Sequence, residues 1–341
     1  MSDERPGVSV VMPVRNEERH LREAVSHVLA QEYDGPIEVL VAVAPSTDRT
    51  AVIAEQLGRT DARVRLVPNP AGRTSAGLNA ALRQARYDVI VRVDGHGVLS
   101  PGYIDTAVQV LDETGAANVG GVMHAEGDTP FEQAVAHAYR SRVGLGGGRY
   151  HVGGEPGPAD SVYLGVFRRS ALTRLGGFDE HFARAQDWEL NYRLARAGET
   201  VWFTPLLRVS YRPRNSWFAL AEQFFRTGQW RREVVRHYPD TANVRYLAPP
   251  VVVMMCAAGI AAGVAGSVSA RSWGRLGFAI PLAYGAGVVV AGLVNGRTLP
   301  AAARMRLPGV LATMHLSWGS GFLVGVRSAE LGRRKPRRAR A

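Results

Sequence analysis

The chain has almost no cysteine: Cys256 stands alone among 341 residues. A single thiol excludes an internal disulfide framework and any cysteine-cluster metal site. No secretory segment is expected either. The opening MSDERPG is charged, and the apolar run at residues 8–14 is too short for a signal core. The N-terminal part is therefore expected to stay in the cytosol. There is no internal repeat and, apart from the basic run 333–340, no long low-complexity stretch. Acid is scarce in one region only. Beyond residue 245 a single acidic residue, Glu330, stands against 12 Lys and Arg, whereas residues 1–245 carry 29 Arg and 29 acidic residues that cancel. The net charge of +11 thus lies wholly in the last 96 residues. Interleaved with apolar runs, this is the charge pattern of a membrane anchor and excludes a nucleic-acid-binding face.

Apolar residues make up 46% of the chain and charged residues 21%, which permits a packed core and rules out global disorder. Residues 246–270, 276–296 and 307–326 contain no Asp, Glu, Lys or Arg. Each reaches the ~20 residues needed to cross a hydrocarbon layer. The pairs Gly259/Gly263 and Gly321/Gly325 have the spacing that lets helices approach closely. The third stretch is semi-polar through His315, Ser317 and Ser320. Three spans would place the basic tail outside the cell, against the positive-inside bias. Two spans with an interfacial or re-entrant third segment avoid that conflict. The expected organisation is a globular domain at 1–215, an interfacial amphipathic helix region at 216–245, a membrane anchor of two to three segments at 246–327, and a basic tail at 328–341. The segment 216–238 mixes Trp217, Phe218, Phe224, Phe225 and Trp230 with several Arg residues. That suits a bilayer interface, or a core helix as far as Phe224 and Phe225 are concerned.

Residues 1–245 alternate between strand and helix patterns. Strands are predicted at 8–12, 37–43, 64–68 and 88–93, and helices at 17–31, 50–57 and 75–85. Short β-branched runs separated by helices imply a mainly parallel sheet covered on both faces. Ligands of such sheets lie beyond the carboxyl ends of the strands. Three polar clusters stand there: Pro13 to Glu17, Ala44 to Thr50, and Asp94-Gly95-His96. Asn16, Thr47 and Asp48 could each cap a helix; together they describe a polar ligand site. Asp94 and His96, one residue apart, could both face a divalent cation, with Mn2+ suited and Mg2+ less so, or could form an ordinary Asp-Gly turn.

The runs VSVVMPVRNEERHLREAV, APSTDRT, NPAGRTSAGLNAALRQA and VIVRVDGHG resemble the family 2 glycosyltransferases, in the branch typified by succinoglycan-type glucosyltransferases. The likeness continues through DSVYLGVFRR, LGGFDEHFARAQDWELNYRLARAG, AEQFFRTGQWRR and MHLSWGSGF. It implies an α/β fold of GT-A type, the nucleotide-diphospho-sugar transferase architecture, followed by C-terminal transmembrane helices. It also implies that Pro13, Asn16 and Glu17 line the nucleobase and ribose pocket, with Arg73 and Asn79 near the nucleotide. Asp94 and His96 occupy the family's metal-binding DxD position. Asp187 matches the catalytic base, and Gln223, Arg226 and Trp230 resemble a stretched QxxRW element near the diphosphate and acceptor. Val43 and Ala44 replace the usual acidic pair, and Gln186 replaces the usual Glu before Asp187. Trp230 stands seven residues after Gln223.

Physical chemistry agrees with that carry-over. A departing sugar diphosphate is a strong anion that a bound cation neutralises, and an Arg such as Arg226 can hold a phosphate through two bonds. Inversion at the sugar needs one base. Asp187 opens an amphipathic helix carrying Leu190 and Leu194 and stopped by Gly198, so it could serve as base or as helix cap. The expectation is a multi-pass enzyme of the cytoplasmic membrane with its catalytic domain in the cytosol. It would transfer a hexose from a nucleotide sugar, UDP-linked by resemblance, to a lipid-linked or growing oligosaccharide acceptor in exopolysaccharide assembly. A processive synthase would need a translocation channel, and a non-catalytic nucleotide-sugar-binding scaffold would not need Asp94, His96 and Asp187.

Overall fold

The computed structural model describes residues 5–269 and 272–332; the basic run 333–340 lies outside them. Contacts divide the chain into two units, one of residues 1–124, 148–211 and 331–341, the other of residues 125–147 and 212–330. In chain order the elements are β1 (Val8–Val14), α1 (Leu21–Leu29), β2 (Ile37–Val43), α2 (Thr50–Thr60), β3 (Val64–Pro68), α3 (Thr74–Gln84), β4 (Val89–Arg92), β5 (Val98–Leu99), α4 (Tyr103–Thr114) and β6 (Asn118–Ala125). Then follow α5 (Pro130–Tyr139), α6 (Arg149–Val152), β7 (Gly157–Pro158), β8 (Tyr163–Arg168), α7 (Arg169–Arg174), α8 (Gln186–Arg196) and β9 (Val201–Tyr211). Four long helices close the described chain: α9 (Trp217–His237), α10 (Val244–Val268), α11 (Ala279–Asn295) and α12 (Ala301–Val324).

The first unit is built on one sheet ordered β3-β2-β1-β4-β8-β6-β9-β5, with β7 on β9. Strands β3, β2, β1 and β4 run parallel, while β8 joins β4 antiparallel. Alternation along β1 sorts its side chains. Val8, Val10, Met12 and Val14 face the core formed with α1, α2 and α4. Val11 faces the core formed with α3, α7 and α8. Both faces are thus covered by helices. Strand order reverses between β1 and β4, since the chain leaves β1 toward β2 and returns from β3 to its other side. Pairing of β1 with β4 stops at Val11 and Arg92, whereas pairing with β2 runs on to Val14. Pro13 has no N–H to donate and is tolerated in a central strand because β4 has already diverged. A crevice opens where a doubly wound sheet binds its ligand.

One predicted helix begins later than its pattern suggests. Residues 17–31 read as amphipathic, yet α1 starts at Leu21. The backbone N–H groups of Glu17 and Glu18 donate to Thr50 Oγ1 (2.7 Å) and Asp48 (3.1 Å), which holds this stretch out of the helix. Asn16 adopts φ 56°, a left-handed conformation that Asn tolerates better than most residues.

The second unit consists of α5 and α9 to α12. Helices α9 and α12 cross so closely that a Cβ at Gly228 would lie 2.0 Å from Trp318 O, and one at Gly321 1.9 Å from Phe225 O. Gly259 and Gly263 on α10 admit Gly277 and Phe278 in the same way. Gly325 instead ends α12 with φ 77°. Phe224 is buried against Tyr139 and Trp318, so this part of α9 is core, while Trp217 and Phe218 at its start are exposed. Among the described residues, two helical stretches are long and apolar enough to cross a membrane, Val244–Val268 and Trp273–Thr298. The third stretch, in α12, buries Leu307, Val310, Leu311 and Met314 within this unit and is not among them.

Candidate active site

The mouth of the crevice is made by two loops laced together. Asn16 Oδ1 accepts from Thr47 N (2.9 Å), its own N–H donates to Ser46 Oγ (3.2 Å), and Glu18 accepts from Arg49 N (3.1 Å). Asn16 therefore joins the end of β1 to the end of β2 and caps no helix. Asp48 accepts from Thr50 N (3.0 Å) at the start of α2 and from Glu18 N. Desolvation opposes its charge, yet the bonds from Thr50 and Glu18 hold its carboxyl below the usual range.

Across the crevice, β4 delivers Asp94-Gly95-His96. A Cβ at Gly95 would stand 3.0 Å from side-chain atoms of Glu17 and Val14, so glycine lets this turn lie against the end of β1. His96 Nδ1 meets Glu17 Oε1 at 2.8 Å. With a carboxylate as acceptor, Nδ1 carries a proton, and Nε2 is the nitrogen that can ligate once the ring is neutral. Metal-binding imidazoles are oriented by this kind of partner. An imidazole so held and the adjacent Asp94 carboxylate form a donor pair that fits a Mn2+-type divalent cation.

Arg92, the last residue of β4, is only 3% exposed. Its guanidinium pairs with Asp94 at 3.0 Å and with Asp187 on α8. Burial works against the Asp94 charge, but Arg92 and His96 outweigh it and keep the carboxyl below its ordinary range. Burial and then the Asp94 charge push the Tyr163 phenol on β8 well above its usual value. Asp187 does not cap its helix. The position before α8 is Ala185, with φ 62° and no side-chain cap, and the Asp187 carboxylate turns to Arg92 instead. Glu189, two residues on, is buried in an ion pair with Arg193 (2.6 Å) and has a structural task.

Arg73 precedes α3 and donates to Leu331 O (3.2 Å). Asn79 is buried on α3, where its amide holds Phe178 O and Glu180 (both 2.9 Å) and accepts from Phe178 N (2.8 Å). Its polar atoms thus fix the loop leading toward Asp187. Gln223, Arg226 and Trp230 lie on α9 in the second unit. There Gln223 accepts from Arg214 (3.1 Å), Arg226 pairs with Glu222 (2.8 Å), and Trp230 is buried. Sequence reasoning missed Arg92. The signal was present: a cation inside the apolar run VIVRV must be paired if the strand is central.

A parallel half-sheet with acidic and imidazole groups at its switch point is the architecture of a nucleotide-diphospho-sugar transferase. Residues 9–176 match the model of the family described as "Glycosyl transferase family 2". The succinoglycan biosynthesis protein ExoA of Rhizobium meliloti (strain 1021) is 30% identical over 327 residues, covering 94% of this chain and 96% of that protein. The chain belongs to glycosyl transferase family 2 and is a glycosyltransferase. The glycosyltransferase AglE of Haloferax volcanii is 25% identical over 236 residues, 69% of this chain and 76% of that protein. Among solved structures, a mannosyltransferase from Pyrobaculum calidifontis in complex with GDP-Man and Mn2+ superposes with a TM-score of 0.56. It is 20% identical and covers 92% of this chain and 86% of that one, a likeness of fold.

Proposed function

We propose that this protein is a membrane-anchored, inverting glycosyltransferase. In this reading it transfers a hexose from a nucleotide-diphospho-sugar, UDP-linked by resemblance, to a lipid-linked glycan in exopolysaccharide assembly, with the catalytic unit in the cytosol. The polysaccharide context rests on the likeness to the succinoglycan protein over nearly the whole chain. Membrane attachment rests on two apolar helices and on the basic excess beyond residue 245.

The observation that carries the chemistry is the buried Arg92 standing between Asp94 and Asp187. Asp94 and His96 would hold a divalent cation, Mn2+ or Mg2+, with Glu17 orienting the imidazole. When bound, the cation neutralises charge on the departing nucleotide diphosphate. Pro13, Asn16 and Arg73 lie at strand ends or helix starts suited to the nucleotide, and Asn79 supports the loop before α8. Asp187 accepts the proton of the acceptor hydroxyl as its oxygen bonds to the anomeric carbon and the sugar–phosphate bond breaks. Arg92 keeps the carboxylate aimed beforehand, so little reorganisation is needed.

The test is Asp187→Asn. The amide keeps the shape but cannot take a proton, and a positioned base contributes ~10²–10⁴-fold in rate. Turnover is expected to fall by that factor with donor affinity retained, while thermal stability falls less than in a variant lacking both partners because Asp94 still pairs with Arg92. Near wild-type turnover would remove Asp187 from the chemistry, and a loss of donor affinity equal to the loss of rate would make it a ground-state contact.

A further inference from the structure

The second unit holds a cavity of about 690 Å³ that the transfer chemistry does not use. Its walls come from α9 to α12 and from the loop at residues 142–147. The lining is apolar for most of its extent, with Phe224, Val252, Val288, Ala291, Met314 and Trp318 as its larger contributors. It includes two cations, Arg142 and Arg245, and no Asp or Glu.

These groups are ordered along α10. Arg245 is in its first turn, whereas Val252 lies seven residues on, a rise of about 10 Å. Along α10 the lining therefore passes from the cationic Arg245 to the apolar Val252. The loop bearing Arg142 is tied down at the cationic end. Arg245 donates to Leu145 O, and His315 Nε2 lies 2.8 Å from Val143 O, while Tyr284 meets His315 Nδ1 at 3.4 Å. Gly146, at φ 80°, leaves room for the guanidinium, since a Cβ there would stand 2.7 Å from Arg245 Nε. Arg142 and Arg245 are exposed at that end, so a charged head there stays hydrated while the apolar walls suit hydrocarbon. The cavity fits an anion carried on a hydrocarbon chain. Helices α10 and α11 contribute to the walls, and both lie within the two stretches apolar enough to cross a membrane.

We propose that this cavity binds a single-chain lipid phosphate, the carrier of the acceptor glycan, with its phosphate at Arg142 and Arg245 and its chain among α10, α11 and α12. At ~30 Å³ per water-sized group, the space takes roughly twenty such groups, enough for a phosphate and the first part of one chain. The proposal rests on the lipid-linked acceptor of the proposed function and assigns it a site.

Two glycines of α11 supply the test. A Cβ at Gly287 or at Gly285 would meet nothing within 4 Å, yet only Gly287 lines the cavity. Residues two apart on a helix face different ways. Gly287→Phe is therefore expected to direct its ring into the cavity, and Gly285→Phe is the matched control. Binding to the full chain in detergent is measured for geranylgeranyl phosphate, geranylgeraniol and inorganic phosphate. Geranylgeranyl phosphate is expected to bind saturably, at least tenfold more tightly than either other probe. Gly287→Phe and the double variant Arg142→Gln, Arg245→Gln should each weaken it by tenfold or more, and Gly285→Phe should not. Equal binding in Gly287→Phe and wild type would overturn the site. Equal binding of the alcohol would overturn the phosphate end, and equal binding of inorganic phosphate the lipid. These measurements need no sugar donor. A chain that binds the lipid phosphate as described but consumes no nucleotide sugar would fail the function reading and support the site.

Discussion

At the scale of single residues, the candidate site depends on charges that hold one another in place. Glu17 orients His96, and Arg92 holds Asp94 and Asp187. Asp94→Ala should abolish metal-dependent transfer and His96→Ala should weaken it, because the leaving diphosphate loses its counter-charge. Glu17→Gln is the subtler probe. Loss of an outer partner of a ligating imidazole costs about 10–100-fold in metal affinity. The Mn2+ concentration for half-maximal activity should rise by that factor in Glu17→Gln, and an unchanged Mn2+ titration would remove Glu17 from this role. The sequence displayed Asp94, His96 and Glu17 because parallel strands deliver their following residues to one edge. It did not display who pairs with whom. Glu17 and His96 are 79 residues apart, and Arg92 reads locally as part of an apolar strand.

At the scale of elements, β2 is anchored through one buried acid. Glu38 accepts from Ser9 Oγ (2.8 Å), Arg86 N (2.7 Å) and Arg65 (2.8 Å). Desolvation alone would raise its pKa, but these donors outweigh burial and lower it. A depressed carboxyl contributes stability that is complete above its unfolded value of about 4.3 and is lost as pH falls through the folded value. Glu38→Gln is therefore expected to cost about 1–3 kcal/mol at neutral pH. The gap in thermal midpoint between variant and wild type should close progressively below about pH 4. A gap independent of pH would mean that packing, not charge, holds β1 to β2. Strands β1 to β4 were legible because their β-branched runs are uninterrupted. In β6 and β8 the pattern is broken by Gly120, Gly121 and Gly165. A Cβ at Gly165 would lie 2.2 Å from Asn118 Oδ1, so close packing imposes glycine where the hydrophobic signal would need a side chain. Strands β6 and β8 stayed hidden for that reason.

At the scale of the molecule, a glycosyltransferase unit is joined in one chain to a helical unit, and the chain's positive excess lies beyond residue 245. The apolar stretches were plain from composition, but their roles differ. Two have the length and hydropathy of spans, whereas the third is drawn into α12, where Gly319 and Gly321 admit neighbouring backbones. Two spans return the chain to the side from which it left. A cysteine at Ala341, with Cys256 replaced, should then be shielded from an impermeant thiol reagent in intact cells, and ready labelling would restore three spans. The central claim is metal-dependent sugar transfer at the β1–β4 crevice. Its most direct test offers the purified full chain a panel of nucleotide sugars, with Mn2+ or with excess EDTA, and measures release of the nucleotide diphosphate. The account predicts consumption of at least one donor with Mn2+, lost in EDTA and in Asp94→Ala. Equal consumption in EDTA, or full activity of Asp94→Ala, would contradict it.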